Sequence, residues 1–121
     1  RNVDQMSIQK IGEELKNTSQ LCRELKIDKK EFFGGSMTIS SLGGIGGTHF
    51  TPIINPPEVA ILGVGRTFDR LVKEKNQIVS KKILPISLSY DHRLIDGAEG
   101  ARFCVYLGKC LGKDFAFKLA V

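Results

Sequence analysis

A His-Arg pair, His92-Arg93, and an Asp-Gly pair, Asp96-Gly97, lie close together in the segment SLSYDHRLIDGAEGARF, residues 87–103. This segment reads as the end of a strand followed by the start of a helix, a place where side chains project into clefts. The ordinary pKa of an imidazole, about 6.5, suits proton transfer at neutral pH. We therefore predict that His92 is a general base, with a hydrogen-bonded structural histidine as the alternative.

Asp96 has two interpretations. The favoured one is a helix cap, or a carboxylate paired with an arginine, that holds the loop carrying His92. It is favoured because the free N–H groups and the dipole at a helix start stabilise a carboxylate. The other interpretation is a direct partner of the imidazole. Arg93 is predicted to be structural, and Gly97 would allow a tight turn.

Other candidate sites are weaker. His49 has no acid nearby in sequence and is predicted to be a loop residue. The G-x-S-x-G motif of serine hydrolases is absent. The glycines of GGIGG, residues 43–47, lack the Lys-Ser or Lys-Thr of a phosphate-binding loop, so plain turn geometry and close backbone approach stay open. The three cysteines have no C-x-x-C spacing, which favours neither a disulfide framework nor a zinc site.

Apolar periodicity and turn residues divide the chain into elements. The predicted elements are a helix over 6–25, a strand over 36–42, two long strands over 58–72 and 81–90 joined by a polar turn at 73–77, and a helix over 96–113. Asp4 or Ser7 is expected to cap the first helix. The order helix, strands, helix predicts an α/β fold in which helices cover one face of a sheet.

Composition limits the possible functions. With 121 residues, 41% of them hydrophobic and 26% charged, the chain is one soluble domain or a piece of one. No apolar run approaches the ~20 residues of a membrane span. The first residues are polar, so we expect no signal peptide. The odd number of cysteines leads us to expect a cytoplasmic protein. The net charge of +5 comes with scattered lysines, which favours a solvated surface over a nucleic-acid partner and leaves a phosphorylated cofactor open.

Two segments resemble one family. DHRLIDG, residues 91–97, resembles the signature of the 2-oxo acid dehydrogenase acyltransferases, His-Arg-x-x-x-Gly with Asp usually before the glycine. GGSMTISSLGGIGGTHFTPIINPPEVAILGVGR, residues 34–66, is similar to the same family, as is the spacing from Ser40 to His92. Acetyl-transferring members are more similar than succinyl-transferring ones, which tend to have Ser-Asn-Gly-Gly and Pro-Gln where this chain has Ser41-Leu42-Gly43 and Glu58.

The resemblance implies a fold like chloramphenicol acetyltransferase, a two-layer α/β sandwich, and a trimer with each active site between two subunits. His92 would remove the proton from the thiol of coenzyme A, which attacks an acyl group on the lipoyl arm of a carrier domain. Ser40, from the neighbouring subunit, would donate a hydrogen bond to the oxyanion, and Asp96 would position the loop. The resemblance implies no metal and does not identify the residues that contact coenzyme A.

The resemblance also implies that residues 1–121 are the C-terminal half of a catalytic domain, without lipoyl or peripheral-subunit-binding domains. We therefore expect weak or absent transferase activity from the chain alone. The implied partners are two further copies, a larger core of the pyruvate dehydrogenase complex, its lipoyl domain, its pyruvate decarboxylase component and its dihydrolipoyl dehydrogenase. The apolar tail, residues 115–121, resembles the family's anchor between trimers.

Three other functions remain possible for this sequence. The chain could be an assembly piece without activity, and coenzyme A binding would discriminate this from the acyltransferase. It could be a succinyl-transferring relative. An antibiotic O-acetyltransferase of the same fold is ranked last, because those enzymes tend to carry His-His where this chain has Asp91-His92.

Overall fold

A computed structural model describes residues 2–112 and 115. These residues form two compact units, one containing the residues through Gly34 with those described after Cys110, and the other spanning Gly35–Cys110. The helices and strands are α1 (Ile8–Arg23), β1 (Thr38–Ser41), β2 (Ala60–Val64), β3 (Phe68–Glu74), β4 (Gln77–Ile83), β5 (Ile86–Tyr90) and α2 (Gly97–Cys110), with short 3-10 turns at Val3–Gln5 and Lys29–Phe32.

The first unit contains α1, which confirms the predicted first helix with ends two residues shorter. Of the two predicted caps, Ser7 is the one used, because its Oγ accepts a hydrogen bond from the Lys10 backbone N–H at 3.3 Å. Asp4 lies instead in the preceding 3-10 turn. The helix ends where Leu25 adopts a left-handed φ of 56° and the Lys26 N–H donates to the Leu21 carbonyl.

The second unit is built on a three-stranded sheet in the order β1-β2-β5. The central strand β2 pairs parallel with β1 and antiparallel with β5. Because β2 has neighbours on both sides, its Ala60, Ile61 and Leu62 are only 6–7% exposed, and they are the buried hydrophobic residues of the described part of the chain. The sheet therefore has a narrow core centred on one strand.

Alternation along the strands gives the sheet two different faces. On one face α2 packs closely on β5, since a Cβ added to Gly100 would lie 2.8 Å from the Tyr90 ring. The opposite face carries Ser40, Gly63 and Ser87 side by side in register. The prediction that a helix covers one face of the sheet is confirmed for α2.

Strands β3 and β4 form a separate hairpin. Lys75 and Asn76 both have positive φ, 43° and 68°, which is the two-residue type I′ geometry that matches strand twist. The polar turn predicted at 73–77 is therefore confirmed. Two cross-strand ion pairs connect the strands, Asp69–Lys82 at 3.2 Å and Glu74–Lys81.

The two long predicted strands, 58–72 and 81–90, are wrong as continuous strands, because each is interrupted where the chain passes between the sheet and the hairpin. The first break is at Gly65, where a Cβ would lie 2.2 Å from the Thr48 carbonyl oxygen. The second contains Pro85, which has no N–H for a strand ladder. The two breaks meet, since the Gly65 N–H donates to the Pro85 carbonyl at 3.0 Å.

The glycine-rich segment 43–47 combines the two possibilities left open by the sequence, turn geometry and close backbone approach. Gly46 and Gly47 have φ values of 140° and 85°, which side-chain-bearing residues rarely adopt. Gly43 lies close to another segment, because a Cβ there would be 3.2 Å from the Gly65 carbonyl oxygen. The predicted strand at 36–42 is confirmed as the shorter β1.

The last predicted helix, 96–113, is confirmed as α2 over Gly97–Cys110, and residue 113 lies outside the described residues. The predicted anchor at 115–121 also lies outside them, apart from Phe115. Within residues 2–112 and 115, no helix is both long and apolar enough to cross a membrane.

Candidate active site

His92 lies in the six-residue turn that joins β5 to α2. The residue is exposed, and its ring packs near the ring of Tyr90, the last residue of β5, with 5.7 Å between centroids and a tilt of 39°. A Cβ added to Gly97 would lie 4.0 Å from His92 Nε2. The imidazole is therefore held between the end of a strand and the first residue of a helix.

The residue before the histidine organises this turn through its backbone. The Asp91 N–H donates to the Val59 carbonyl at 2.9 Å, which ties the turn to the residue before β2. The Asp91 carbonyl accepts hydrogen bonds from the Leu94 and Ile95 N–H groups, each at 3.0 Å. The turn is thus closed on both sides of His92 by bonds to one residue.

The Asp91 side chain adds a second set of bonds. Its Oδ1 accepts from the Arg93 backbone N–H at 3.0 Å and from Arg93 Nε at 2.9 Å, and its Oδ2 accepts from Arg93 Nη2 at 2.6 Å. The Arg93 side chain, followed by its backbone N–H, lowers the pKa of Asp91 to about 2. In return, Asp91 raises the pKa of Arg93. The pair is therefore fully charged at neutral pH.

Asp96 caps α2. Its Oδ1 accepts a hydrogen bond from the Glu99 N–H at 2.7 Å, and its carbonyl accepts from the Gly100 N–H at 3.1 Å. The favoured interpretation of Asp96 offered a helix cap or a pairing with an arginine, and these bonds are those of a helix cap. The arginine of the turn pairs with Asp91 and not with Asp96, and within residues 2–112 and 115 no hydrogen bond joins Asp96 to His92.

A cleft of about 500 Å³ opens beside the histidine. Residues 56–59 line one side of it and residues 90–94 line the other. Glu58 places a carboxylate in this wall, and its Oε2 accepts a hydrogen bond from Thr38 Oγ1 at 2.5 Å. The segment that precedes β2 is thus tied to β1. The cleft has Glu58 on one side and the Asp91–Arg93 ion pair on the other.

Ser40 lies elsewhere in the same chain. It is half-buried on β1 and in register with Gly63 of β2 and, beyond it, Ser87 of β5. His92 follows Tyr90, which is three residues further along β5, so the two site residues are roughly 10 Å apart along the sheet and roughly 10 Å across it. The structure therefore does not bring Ser40 and His92 together within one chain.

An apolar cavity and the second histidine are two further features of the chain. An apolar cavity of about 230 Å³ lies between the sheet and α2, with Tyr90 and Phe103 among its walls. His49 is exposed in the loop between β1 and β2, as predicted for a loop residue. In the part of the chain that the structure describes, no three His, Cys, Asp or Glu side chains are grouped so that they could hold a metal ion.

Asp91 and Glu58 belong to this site but were not predicted from the sequence. The signal for Asp91 was present, because an aspartate two residues before an arginine at the start of a turn can bond to both its backbone N–H and its side chain. Glu58 had no such local signal. Its partner Thr38 is 20 residues away in sequence.

Known proteins similar to this chain identify its family. The family model for 2-oxoacid dehydrogenases acyltransferase (catalytic domain) matches residues 1–116. The chain belongs to this acyltransferase family. The dihydrolipoyllysine-residue acetyltransferase component of the pyruvate dehydrogenase complex of Haemophilus influenzae is 50% identical over 111 residues, 92% of this chain and 20% of that protein. The chain thus spans about a fifth of the length of that curated relative.

Solved structures of the family agree in fold. Dihydrolipoamide acetyltransferase of Azotobacter vinelandii matches with a TM-score of 0.90 and 46% identity, over 96% of this chain and 48% of that chain. The cubic core of the pyruvate dehydrogenase multienzyme complex matches with the same score, identity and coverage. The predicted family and its α/β fold, present as part of an acyltransferase catalytic domain, are confirmed.

Proposed function

We propose that this chain is part of an acetyltransferase catalytic domain that moves an acetyl group from S-acetyldihydrolipoamide to coenzyme A in a pyruvate dehydrogenase complex. The observation that carries the proposal is the exposed His92, held in a hydrogen-bonded turn at the edge of a cleft. Membership of the acyltransferase family and the similarity to acetyltransferase components support the substrate class.

Residue spacing adds support for the site. The Azotobacter vinelandii study addresses the role of a serine, a histidine and an asparagine in the catalytic mechanism of that acetyltransferase. Those three residues follow one another at the same intervals as Ser40, His92 and Asp96 do here. Aspartate replaces asparagine in this chain, and both residues are good helix caps. We propose that this position requires a capping oxygen and not a negative charge.

In the proposed reaction, His92 accepts the proton of the coenzyme A thiol as the sulfur attacks the acetyl carbonyl. Proton removal matters because the thiolate is the nucleophile, and an ordinary thiol is mostly protonated at neutral pH. The tetrahedral intermediate carries its negative charge on the former carbonyl oxygen. Collapse of that intermediate transfers the acetyl group to coenzyme A and releases the dihydrolipoyl sulfur, which takes the proton from His92.

Ser40 is proposed to donate a hydrogen bond to that oxyanion. One donor of this kind contributes about 3 kcal/mol of transition-state stabilisation. Since Ser40 and His92 are far apart within the chain, we propose that each site uses Ser40 from one subunit and His92 from a neighbour. The half-buried position of Ser40, on the sheet face opposite α2, fits such a shared site.

The partners follow from the same proposal. Coenzyme A and a lipoyl arm on a carrier domain are the substrates, and no metal takes part. The chain would form a homotrimer within a larger core that works with a pyruvate decarboxylase component and a dihydrolipoyl dehydrogenase. Similarity to a cubic core supports oligomeric assembly. The extent of the catalytic domain, residues 1–121 as its C-terminal half, and a cytoplasmic location are parts of this proposal.

A second candidate function is an assembly piece without activity. Large exposed apolar side chains favour it, among them Ile39 at 69%, Ile53 at 90% and Tyr106 at 70% exposure. Binding of coenzyme A separates the two candidates, because an assembly piece has no need for a nucleophile. Succinyl transfer is a third possibility within the same family, and a comparison of acetyl and succinyl donors tests it directly.

A chimeric enzyme tests the proposed function. The matching segment of the Azotobacter vinelandii catalytic domain is replaced by this chain, and acetyl transfer to coenzyme A is measured in the chimera and in its His92→Ala form. We expect transfer in the first and a loss of at least about 100-fold in the second. A chimera that assembles and binds coenzyme A but does not depend on His92 would refute the proposed role of this residue. The chain alone should show little transfer.

A further inference from the structure

The turn that carries His92 is held almost entirely by one neighbouring residue. Asp91 donates its N–H to Val59, accepts the Leu94 and Ile95 N–H groups on its carbonyl, and accepts the Arg93 N–H on its carboxylate. Every one of these bonds is to a residue other than the histidine. Three of them are made by the Asp91 backbone, and the bond from the Arg93 N–H, directly after His92, is the one that depends on the Asp91 side chain.

The carboxylate itself is kept in place by Arg93. The guanidinium bonds both carboxylate oxygens, through Nε at 2.9 Å and 3.1 Å and through Nη2 at 2.6 Å. The Arg93 side chain is 87% exposed and the Asp91 side chain 21% exposed. The pair therefore joins a solvent-exposed guanidinium to a largely covered carboxylate within the turn that carries His92. This placement points to a role in the local geometry of the turn.

We infer that Asp91 is a positioning residue for His92, and that Arg93 clamps the Asp91 carboxylate in the orientation that closes the turn. The inference rests on the proposed function only where activity is concerned, because the orientation of the ring is a property of the chain itself. It assigns Asp91 no contact with substrate. It also differs from the cap at Asp96, which fixes the start of α2 after the turn has ended.

The first test measures ring geometry by nuclear magnetic resonance in the purified chain. Cross-relaxation between the His92 and Tyr90 ring protons reports their contact, and His49 is an internal reference because the chain has two histidines. We expect the contact to persist in Asp91→Asn, which keeps an acceptor for the Arg93 N–H. In Asp91→Ala, which keeps the three backbone bonds and loses this acceptor, we expect the contact to weaken. Asp69→Ala is the matched control, because it removes the carboxylate of another exposed ion pair. An unchanged ring contact in Asp91→Ala would overturn the inference.

The second test measures kinetics in the chimeric enzyme. Asp91→Ala should lower kcat by about 10- to 100-fold, because small misplacements of a reacting group have effects of this size. KM for coenzyme A should change by less than about twofold, since no binding contact is removed. Asp91→Asn should recover most of the lost rate. Equal losses in the two variants would overturn the inference, because the charge would then matter more than the turn.

Arg93→Gln covers the case in which Asp91→Ala fails to fold. Its side chain is largely in solvent, so its replacement leaves the fold intact and removes only the clamp. We expect a smaller loss of kcat in the same direction and a weaker ring contact. If neither changes, the clamp is refuted. If His92→Ala retains transfer, the proposed function fails, whereas the ring contact still decides the role of Asp91.

Discussion

Two aspartates, Asp91 and Asp96, bracket the histidine and perform different tasks. Asp91 closes the turn and pairs with Arg93, whereas Asp96 caps the helix that follows. The capping role of Asp96 could be predicted because it depends on a local pattern, an acidic residue at the start of an apolar periodic segment. The pairing of Arg93 with Asp91 was not predicted, although the spacing of two residues at the start of a turn was a local signal for it.

The capping role of Asp96 predicts a difference between two substitutions. Asp96→Ala should lower the free energy of unfolding by about 1 kcal/mol, because the Glu99 N–H loses its acceptor. Asp96→Asn should change the free energy of unfolding by only a few tenths of this amount, since asparagine caps a helix equally well. Urea unfolding followed by circular dichroism measures both. Equal destabilisation by the two variants would indicate that the charge, and not the cap, is required.

The low pKa of Asp91 predicts a dependence of stability on pH. The pKa is about 2 in the folded chain against an ordinary value of 3.8, so the stabilisation is present above 3.8 and is lost as the pH falls towards 2. The wild-type chain should therefore lose stability across this range more steeply than Asp91→Asn. Since the pair is exposed, the difference should shrink at high salt. Parallel urea midpoints for the two proteins over this range would contradict the prediction.

Among the elements, α2 is positioned by a close contact with a strand. Tyr90 of β5 lies against Gly100 so closely that the helix has no room for a side chain there. Sequence periodicity located this helix correctly but gave no sign of the contact, because a glycine in a helix can equally well be a neutral surface residue. The break at Gly65 was missed for a similar reason, since the tight approach there is to Thr48, which is distant in sequence. The break at Pro85 had a local signal, because proline has no N–H for a strand ladder.

Two glycines of α2 provide a matched pair of substitutions. Gly100→Ala should destabilise the chain by about 1–3 kcal/mol, because the new methyl group would overlap the Tyr90 ring. Gly108→Ala should stabilise it by up to about 1 kcal/mol, because nothing lies within 4 Å of a Cβ at this position and alanine favours helix. Thermal unfolding of both variants is the measurement. Stabilisation by Gly100→Ala would show that the helix can move away from the strand at little cost.

At the scale of the whole molecule, the described residues bury little apolar surface. Among residues 2–112 and 115, the buried hydrophobic core consists of Ala60, Ile61 and Leu62, while many large hydrophobic side chains are exposed. A domain this size ordinarily buries much more of its apolar surface, so further protein surfaces are expected to cover these residues. Sequence patterns identified the family. They could not locate this uncovered surface, because exposure depends on what packs around the chain.

A site shared between subunits predicts complementation. Two inactive chimeric enzymes, Ser40→Ala and His92→Ala, are co-expressed so that their subunits mix. Random mixing in a cyclic trimer should restore about a quarter of the wild-type transfer rate, because one site in four then receives both intact residues. The separately purified variants are the controls. Mixed assemblies with no more activity than these controls would place both residues in the same subunit.

The turn between the two aspartates also constrains the length of the chain. Exposed loops ordinarily accept insertions and deletions, since their backbone has few internal bonds. Here Asp91 is bonded through its backbone to Val59, Leu94 and Ile95, and the Asp96 carbonyl accepts from the Gly100 N–H in the first turn of α2. One added residue would shift the histidine around the turn and separate it from Tyr90. We therefore expect library selections for function to accept many side chains at the exposed position 94 but no change in the number of residues from 91 to 96.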